Sequence, residues 1–264
     1  INGFGRIGRL VYRALLETDH DLAIVAINDM ADLKTNTHLL QYDTVHGPLQ
    51  QKVEITGDDT FAVGGQTTKV LQEKEPANLP WGDLGVDIVL ECSGRFVERD
   101  QAAGHLDAGA RKVLISAPGK GDMPFIVYGV NHTALTPEDR IVSNASCTTN
   151  CLAPIAYCMD AAFGIQHGFM TTIHSYTGDQ PSVDTMHKDL HRARAAAQNM
   201  IPTSTGAAKA VGKVLPSLEG KLDGVAIRVP TPNVSLVDFT FVTGRDVSVD
   251  AVNDAARQAA SGDL

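Results

Sequence analysis

The stretch Gly3-Phe4-Gly5-Arg6-Ile7-Gly8, entered from Ile1-Asn2 and followed by Arg9-Leu10-Val11-Tyr12-Arg13-Ala14-Leu15-Leu16, decides the fold. Its G-x-G-x-x-G spacing ends one strand and opens a helix whose apolar positions recur at helical intervals. Gly3 permits the tight turn, Gly5 lets the backbone approach a pyrophosphate, and Gly8 lets the helix pack closely on a sheet. A second apolar run, Leu22 to Ile27, predicts a buried strand that ends on Asn28-Asp29. Asp29 stands where a ribose-binding carboxylate is expected.

Working outward, Lys52 to Ile55 and Lys69 to Leu71 alternate in polarity and predict short antiparallel strands, an insertion at the sheet edge. Trp81, the single tryptophan, is assigned to packing. The βα alternation resumes with Asp87 to Cys92, a helix from Gln101 to Ala110, and Lys112 to Ser116. This predicts a doubly wound, mostly parallel sheet, with Ser93-Gly94 and Ser116 at strand C-termini, the edge that binds ligands in such folds.

After Cys147 the pattern changes. Gly168 to His174 reads as a strand, Ser175 to Pro202 as a polar, Arg-rich loop, and Thr203 to Leu215 as a segment that begins a helix. Strands at Leu222 to Val229 and Val234 to Val242 follow, and then a helix from Ser248 to Ala260 capped by Ser248. Two domains are therefore expected: a dinucleotide-binding domain over 1–147 and an α+β domain with an antiparallel sheet over 148–264. Both ends of the chain read as incomplete.

Composition narrows the function. The 264 residues include 43% hydrophobic residues, enough for two cores, and no apolar run long enough to cross a bilayer. A net charge of −9 argues against a nucleic-acid surface, and four cysteines without framework spacing fit reduced thiols in the cytoplasm. Cys147 and Cys151 stand one helical turn apart, but no Cys-x-x-Cys or His-x-x-x-His element completes a metal site, so no metal is expected.

The second informative stretch is Ser143-Asn144-Ala145-Ser146-Cys147-Thr148-Thr149-Asn150-Cys151, read as strand end, turn and helix start. A thiol there meets unpaired helix-start amides and the positive end of the dipole, which favour the thiolate. His174, at a strand end, supplies a base or a cation for it. Pro154, well past the helix start, predicts a kink. Thr177, Arg192, Arg194, Arg228 and the helix start at Thr205-Gly206-Ala207 are phosphate-binding candidates. The competing reading pairs Arg192 and Arg194 with Asp184 or Asp189.

From Asn2 to the C-terminal helix the chain resembles phosphorylating glyceraldehyde-3-phosphate dehydrogenase of the bacterial type. The resemblance is carried by NGFGRIGR at the start, VAIND ending on Asp29, YDTVHG at 42–47 and SNASCTTNCLAP around Cys147. TTIHSYTGDQ around His174, PTSTGAAKA around Thr205 and IRVPTPNVS around Arg228 complete it. It implies Cys147 as nucleophile and His174 as its base, Ser146, Thr148, Thr205 and Gly206 as an inorganic-phosphate site, and Thr177 and Arg228, with Arg192 nearby, as a substrate-phosphate site. Arg6, Ile7, Asp29, Lys74 and Ser116 fall on cofactor contacts, and the implied cofactor is NAD.

The implied partners are a phosphorylated aldehyde and inorganic phosphate, and the implied assembly is a homotetramer. Thr185-Met186 replace a leucine-proline pair of many NAD-specific members, so cofactor choice rests on Asp29. The resemblance also implies that the family fold continues for roughly sixty residues past Leu264. Three alternatives remain: erythrose-4-phosphate dehydrogenase, from which Tyr176 to Gln180 and Ser204 to Lys209 differ; a semialdehyde dehydrogenase, which needs one carboxylate site rather than two phosphate sites; and an inactive nucleotide-binding fragment or thiol sensor.

Overall fold

The strand order in the first half of the chain turns on Asn2. In the computed structural model, which describes residues 1–262 and 264, α1 (Arg6–Glu17) follows the glycine-rich turn and leads to β1 (Ala26–Asn28) and α2 (Leu33–Gln41). A hairpin of two-residue strands, β2 (Tyr42–Asp43) and β3 (Gly47–Pro48), precedes β4 (Val53–Ile55), β5 (Thr60–Val63) and β6 (Gln66–Leu71). Then come β7 (Ile88–Glu91), the short helices α3 (Arg99–Ala102) and α4 (Gly104–Asp107), β8 (Lys112–Ile115) and β9 (Ile141–Ser143).

β6 pairs parallel with β1, Asn2 bridges in parallel to both Asn28 and Glu91, and β7, β8 and β9 continue in parallel. The spatial order β6, β1, Asn2, β7, β8, β9 is the 3-2-1-4-5-6 order of a Rossmann sheet, and its order reverses beside Asn2.

β5 pairs antiparallel with both β4 and β6, but β6 also joins β1 in parallel, so this segment extends the sheet as well as lining its edge. Leu22 to Ile27 does not form the buried strand its composition predicts: the strand covers Ala26–Asn28, while Leu22 is 58% and Val25 41% exposed. At this end of the sheet the carbonyls of Ile24 and Val25 accept from Thr68 Oγ1 and Lys69 N. The single helix expected from Gln101 to Ala110 is instead the pair α3 and α4, which break at Ala103-Gly104, where glycine weakens the helix.

The core of this unit is aromatic at its centre. Phe4 and Tyr12 meet edge to face at 5.8 Å, and both are buried with Ile27, Leu40 and Phe61. Because Thr68 Oγ1 donates to the Ile24 carbonyl, it accepts from Tyr12 Oη at 2.9 Å, which satisfies the phenol. Arg13 is buried too. Its guanidinium donates to the carbonyls of Leu40, Gln41 and Gly47, capping the end of α2.

The second half contains α5 (Cys147–Phe163), β10 (Ile165–Ser175), β11 (Ile201–Ser204), α6 (Ala207–Val214), β12 (Leu222–Val229), β13 (Leu236–Thr243) and α7 (Val249–Ala260). Its sheet runs β11-β12-β10-β13. The antiparallel pairs are β11 with β12 and β10 with β13, whereas β10 and β12 are parallel, with His174 opposite Arg228. α5 packs on α6, α7, β10 and β13.

α5 runs unbroken through Pro154, because its buried side, Leu152, Ala153, Ala156, Met159 and Phe163, is held by that packing. Ser248 caps α7 as expected, its hydroxyl accepting from Ala251 N. Among the described residues no helix is long and apolar enough to cross a membrane.

Chain contacts separate residues 1–125 with 135–144 from residues 126–134 with 145–264. Cys147 thus belongs to the same unit as His174, because the helix it opens packs on β10.

Candidate active site

In the first unit Gly3 and Gly8 make the close approaches their spacing predicts. Gly3 has φ +86°, and a Cβ there would stand 2.4 Å from Ser93 N; a Cβ on Gly8 would stand 2.2 Å from the Gly3 carbonyl oxygen. Gly5 caps α1 in extended conformation, and nothing lies within 4 Å of where its Cβ would be. The 12-residue α1 has no side-chain cap, so its first-turn amides and dipole are available to an anion. Asp29 Oδ2 accepts from Phe4 N at 2.7 Å and its Oδ1 from Ala31 N at 2.9 Å, which fixes the carboxylate at the end of β1.

Arg6 reaches Asp43 at 2.5 Å, Ile7 and Lys74 are exposed, and the Ser116 amide donates to the Glu91 carbonyl. Burial pushes the Cys92 thiol up, and its hydrogen bond to Ser116 partly opposes this. An open glycine cradle, an uncapped helix start and an oriented carboxylate are the fittings a nicotinamide dinucleotide requires.

In the second unit Ser146 caps α5, its Oγ accepting from Thr149 N at 3.0 Å, and Cys147 is the first helical residue. Ala145 before them takes φ +57°, a left-handed conformation that the sequence did not announce. Cys147 Sγ lies 3.2 Å from His174 Nε2. His174 Nδ1 lies 2.7 Å from the Ser175 carbonyl, which only accepts, so Nδ1 carries a hydrogen and Nε2 faces the sulfur.

The His174 hydrogen bond lowers the Cys147 thiol below its ordinary value; burial opposes it, and the His174 charge and Thr148 add to the lowering. Cys92, Cys151 and Cys158 are all raised, chiefly by burial. Of the four thiols, Cys147 is thus the one biased toward thiolate.

The Ser175 carbonyl also accepts from Arg228 Nη1 at 3.0 Å, and the same nitrogen lies 3.3 Å from Thr177 Oγ1. One carbonyl therefore holds both the histidine tautomer and the arginine. Arg228 is lowered from its ordinary value, mainly by burial and then by Arg192.

Arg192 is committed to Asp179 at 2.7 Å, to Thr203 Oγ1 and to the Ser204 carbonyl, and Arg194 pairs with Asp184 at 2.9 Å. The pairing anticipated for Arg194 is the observed one. Arg192 instead turns to Asp179, whose part the sequence reading missed, with Asp189 farther off at 3.6 Å.

Thr205 Oγ1 accepts from Ala207 N and Gly206 caps α6, while Thr149 Oγ1 donates to the Ala207 carbonyl. Two helix starts, one carrying Ser146 and Thr148 and the other Thr205 and Gly206, are thereby tied together. Among the described residues no three His, Cys, Asp or Glu side chains are grouped to hold a metal ion.

A Rossmann sheet with a glycine cradle at its switch point, joined in one chain to a unit bearing an activated thiol, defines a dinucleotide-dependent oxidoreductase. Residues 1–99 match the family model described as glyceraldehyde 3-phosphate dehydrogenase, NAD binding domain, and residues 146–264 match that of the C-terminal domain of the same enzyme.

Glyceraldehyde-3-phosphate dehydrogenases of Xanthobacter flavus and Cereibacter sphaeroides are each 60% identical to this chain over 265 aligned positions, covering all of it and 79% of their own length. That of Geobacillus stearothermophilus is 55% identical, with 78% of its length covered. The chain belongs to the glyceraldehyde 3-phosphate dehydrogenase family, and its cofactor is NAD.

Proposed function

We propose that this chain catalyses the NAD-dependent oxidative phosphorylation of glyceraldehyde 3-phosphate to 1,3-bisphosphoglycerate, in glycolysis and gluconeogenesis, through a thioester on Cys147. The observation that carries the reading is the 3.2 Å approach of Cys147 Sγ to His174 Nε2 at the start of a 17-residue helix. Bound NAD+ supplies the hydride acceptor, and Gly3, Gly5, Arg6, Ile7, Gly8, Asp29, Lys74 and Ser116 are the residues assigned to hold it.

The Cys147 thiolate adds to the aldehyde carbon, forming a carbon–sulfur bond and an alkoxide that takes up a proton as a hemithioacetal. His174 Nε2 then accepts that proton as hydride leaves the same carbon, which leaves a thioester on Cys147. Because Nδ1 is tied to the Ser175 carbonyl, Nε2 is the nitrogen that exchanges the proton. Inorganic phosphate attacks the thioester carbonyl, the thiolate departs, and the product is an acyl phosphate.

Two anion sites are required, since both the substrate phosphate and the attacking phosphate must be positioned. Thr177 and Arg228, with Arg192 as a fixed charge beside them, are assigned to the substrate phosphate. Ser146, Thr148, Thr205 and Gly206, at the linked starts of α5 and α6, are assigned to inorganic phosphate.

The test follows NADH formation with glyceraldehyde 3-phosphate and with erythrose 4-phosphate, each with and without inorganic phosphate, for wild type and Cys147→Ser. Phosphate-dependent turnover of the triose, lost in the variant while NAD+ binding persists, is expected. Preference for the tetrose, or turnover that survives in Cys147→Ser, would overturn the assignment. A homotetramer in the cytoplasm belongs to the same proposal, and light scattering tests its mass.

A further inference from the structure

Glu91 and His105 are buried titratable side chains that the chemistry above does not use, 1% and 0% exposed. Trp81 Nε1, which can only donate, lies 3.0 Å from His105 Nδ1. His105 Nδ1 is therefore the acceptor, and Nε2 carries the ring hydrogen and donates to Glu91 Oε2 at 2.9 Å. The same oxygen accepts from Asn2 Nδ2 at 2.5 Å. Glu91 Oε1 accepts from Ser93 N at 2.8 Å and from Ser93 Oγ. Four donors thus converge on a carboxylate with no cation among these partners.

Their placement gives the cluster its meaning. Asn2 immediately precedes Gly3, and Gly3 packs so closely on Ser93 N that a Cβ would come within 2.4 Å of it. Asn2 also bridges β1 and β7, the point where the strand order reverses, and its Oδ1 accepts from Asn28 Nδ2 at 2.7 Å.

We infer that Glu91 is the positioning residue of the dinucleotide site: its carboxylate ties the residue entering the glycine-rich turn to the turn after β7, and so sets the cradle for the cofactor. The inference rests on the NAD-binding reading of this unit. Glu91 itself touches no cofactor; it acts through Asn2, Gly3 and Ser93.

Glu91→Gln is the discriminating change, because it keeps the size and replaces one acceptor oxygen with a donor. If the amide oxygen stays with Ser93, the new NH2 faces the donors of Asn2 and His105. The double variant N2D/E91Q restores the pairing with position 2, since the carboxylate introduced there can accept both from the amide introduced at position 91 and from Asn28 Nδ2, while the contact of that amide with the His105 Nε2 hydrogen stays unrelieved. The measurements are NAD+ affinity by calorimetry, the near-ultraviolet ellipticity of Trp81, and KM for NAD+ against kcat.

Glu91→Gln is expected to weaken NAD+ binding roughly tenfold, to raise KM for NAD+ with little change in kcat, and to leave the Trp81 signal in place. N2D/E91Q should recover part of the affinity, the part lost through Asn2. A folded E91Q with wild-type affinity overturns the inference, and so does a double variant no tighter than E91Q, which would make Glu91 a matter of bulk stability. Should E91Q not fold, the double variant is compared with N2D alone, where two carboxylates face each other: tighter binding by the double supports the inference, and equal or weaker binding overturns it. A wild-type protein that binds no NAD+ would instead remove the cofactor reading beneath it.

Discussion

Asp43 receives the side chain of Arg6 from the start of α1, and replacing it by asparagine should cost stability with a defined pH signature. Burial by itself would raise the Asp43 carboxyl. The amides of His46 and Val45 and the Arg6 guanidinium outweigh it and bring the group from an ordinary 3.8 to about 2. The side chain of Asp43 is only 7% exposed, but that of Arg6 is 41% exposed, so solvent screens part of the ion pair.

At about 1.4 kcal/mol per pH unit, the drop corresponds to about 2.5 kcal/mol without screening, and screening at the exposed Arg6 side chain brings it to about 1–2 kcal/mol. Because the folded value lies below the unfolded one, this stability is fully present above about pH 4 and is lost as pH falls through about 2. Asp43→Asn should therefore unfold about 1–2 kcal/mol more easily than wild type at pH 7. The difference should narrow steadily as the pH drops below about 4. Urea unfolding of both proteins over a series of pH values measures the gap. A gap that is absent at pH 7, or one that stays constant down to about pH 2, would refute the electrostatic origin assigned to it.

Gly8→Ala places a Cβ 2.2 Å from a backbone oxygen of the glycine-rich turn, so it should cost about 1–3 kcal/mol and weaken NAD+ binding, as thermal melts and a cofactor titration would record. Wild-type behaviour in both would mean that α1 does not pack on the turn as tightly as stated. Asp29→Ala should narrow the preference for NAD over NADP, read as the ratio of kcat/KM values, because the carboxylate repels a ribose 2′-phosphate. A wild-type enzyme using both cofactors equally would show that Thr185-Met186 override Asp29.

What the sequence disclosed and what it concealed have separate physical causes. Gly3, Gly5 and Gly8 constrain backbone locally, so their spacing is enough to place a Rossmann turn, and the residue types at Cys147 and His174 suggest a pair although they lie 27 positions apart. Glu91 meets Asn2 across 89 positions and His105 across 14, and no short-range pattern marks such partners. Arg13 sits where helical spacing offers an ordinary surface position, yet it caps α2 from below.

The strand expected at Leu22 to Ile27 is too long because apolar composition fixes neither burial nor sheet length: Leu22 and Val25 are exposed, and only Ala26–Asn28 pairs as a strand. Pro154 does not end its helix: α5 continues through it to Phe163, since tertiary packing outweighs one missing amide. Asp179 gives no signal, as a lone acid in a polar loop looks like solvent-facing charge until Arg192 is seen to bind it.

The coupling of Cys147 to His174 is tested most directly by the rate of alkylation of Cys147 as a function of pH, measured for wild type and His174→Asn with the labelled residue identified by mass spectrometry. In wild type the reaction should remain fast well below the pH at which an ordinary thiol, titrating near about 8.5, loses its reactivity. His174→Asn removes the first cause of the lowered Cys147 value and should shift the profile toward that of an ordinary thiol, the start of α5 retaining a smaller part of the effect. Superimposable profiles, or labelling of Cys92, Cys151 or Cys158 ahead of Cys147, would contradict it.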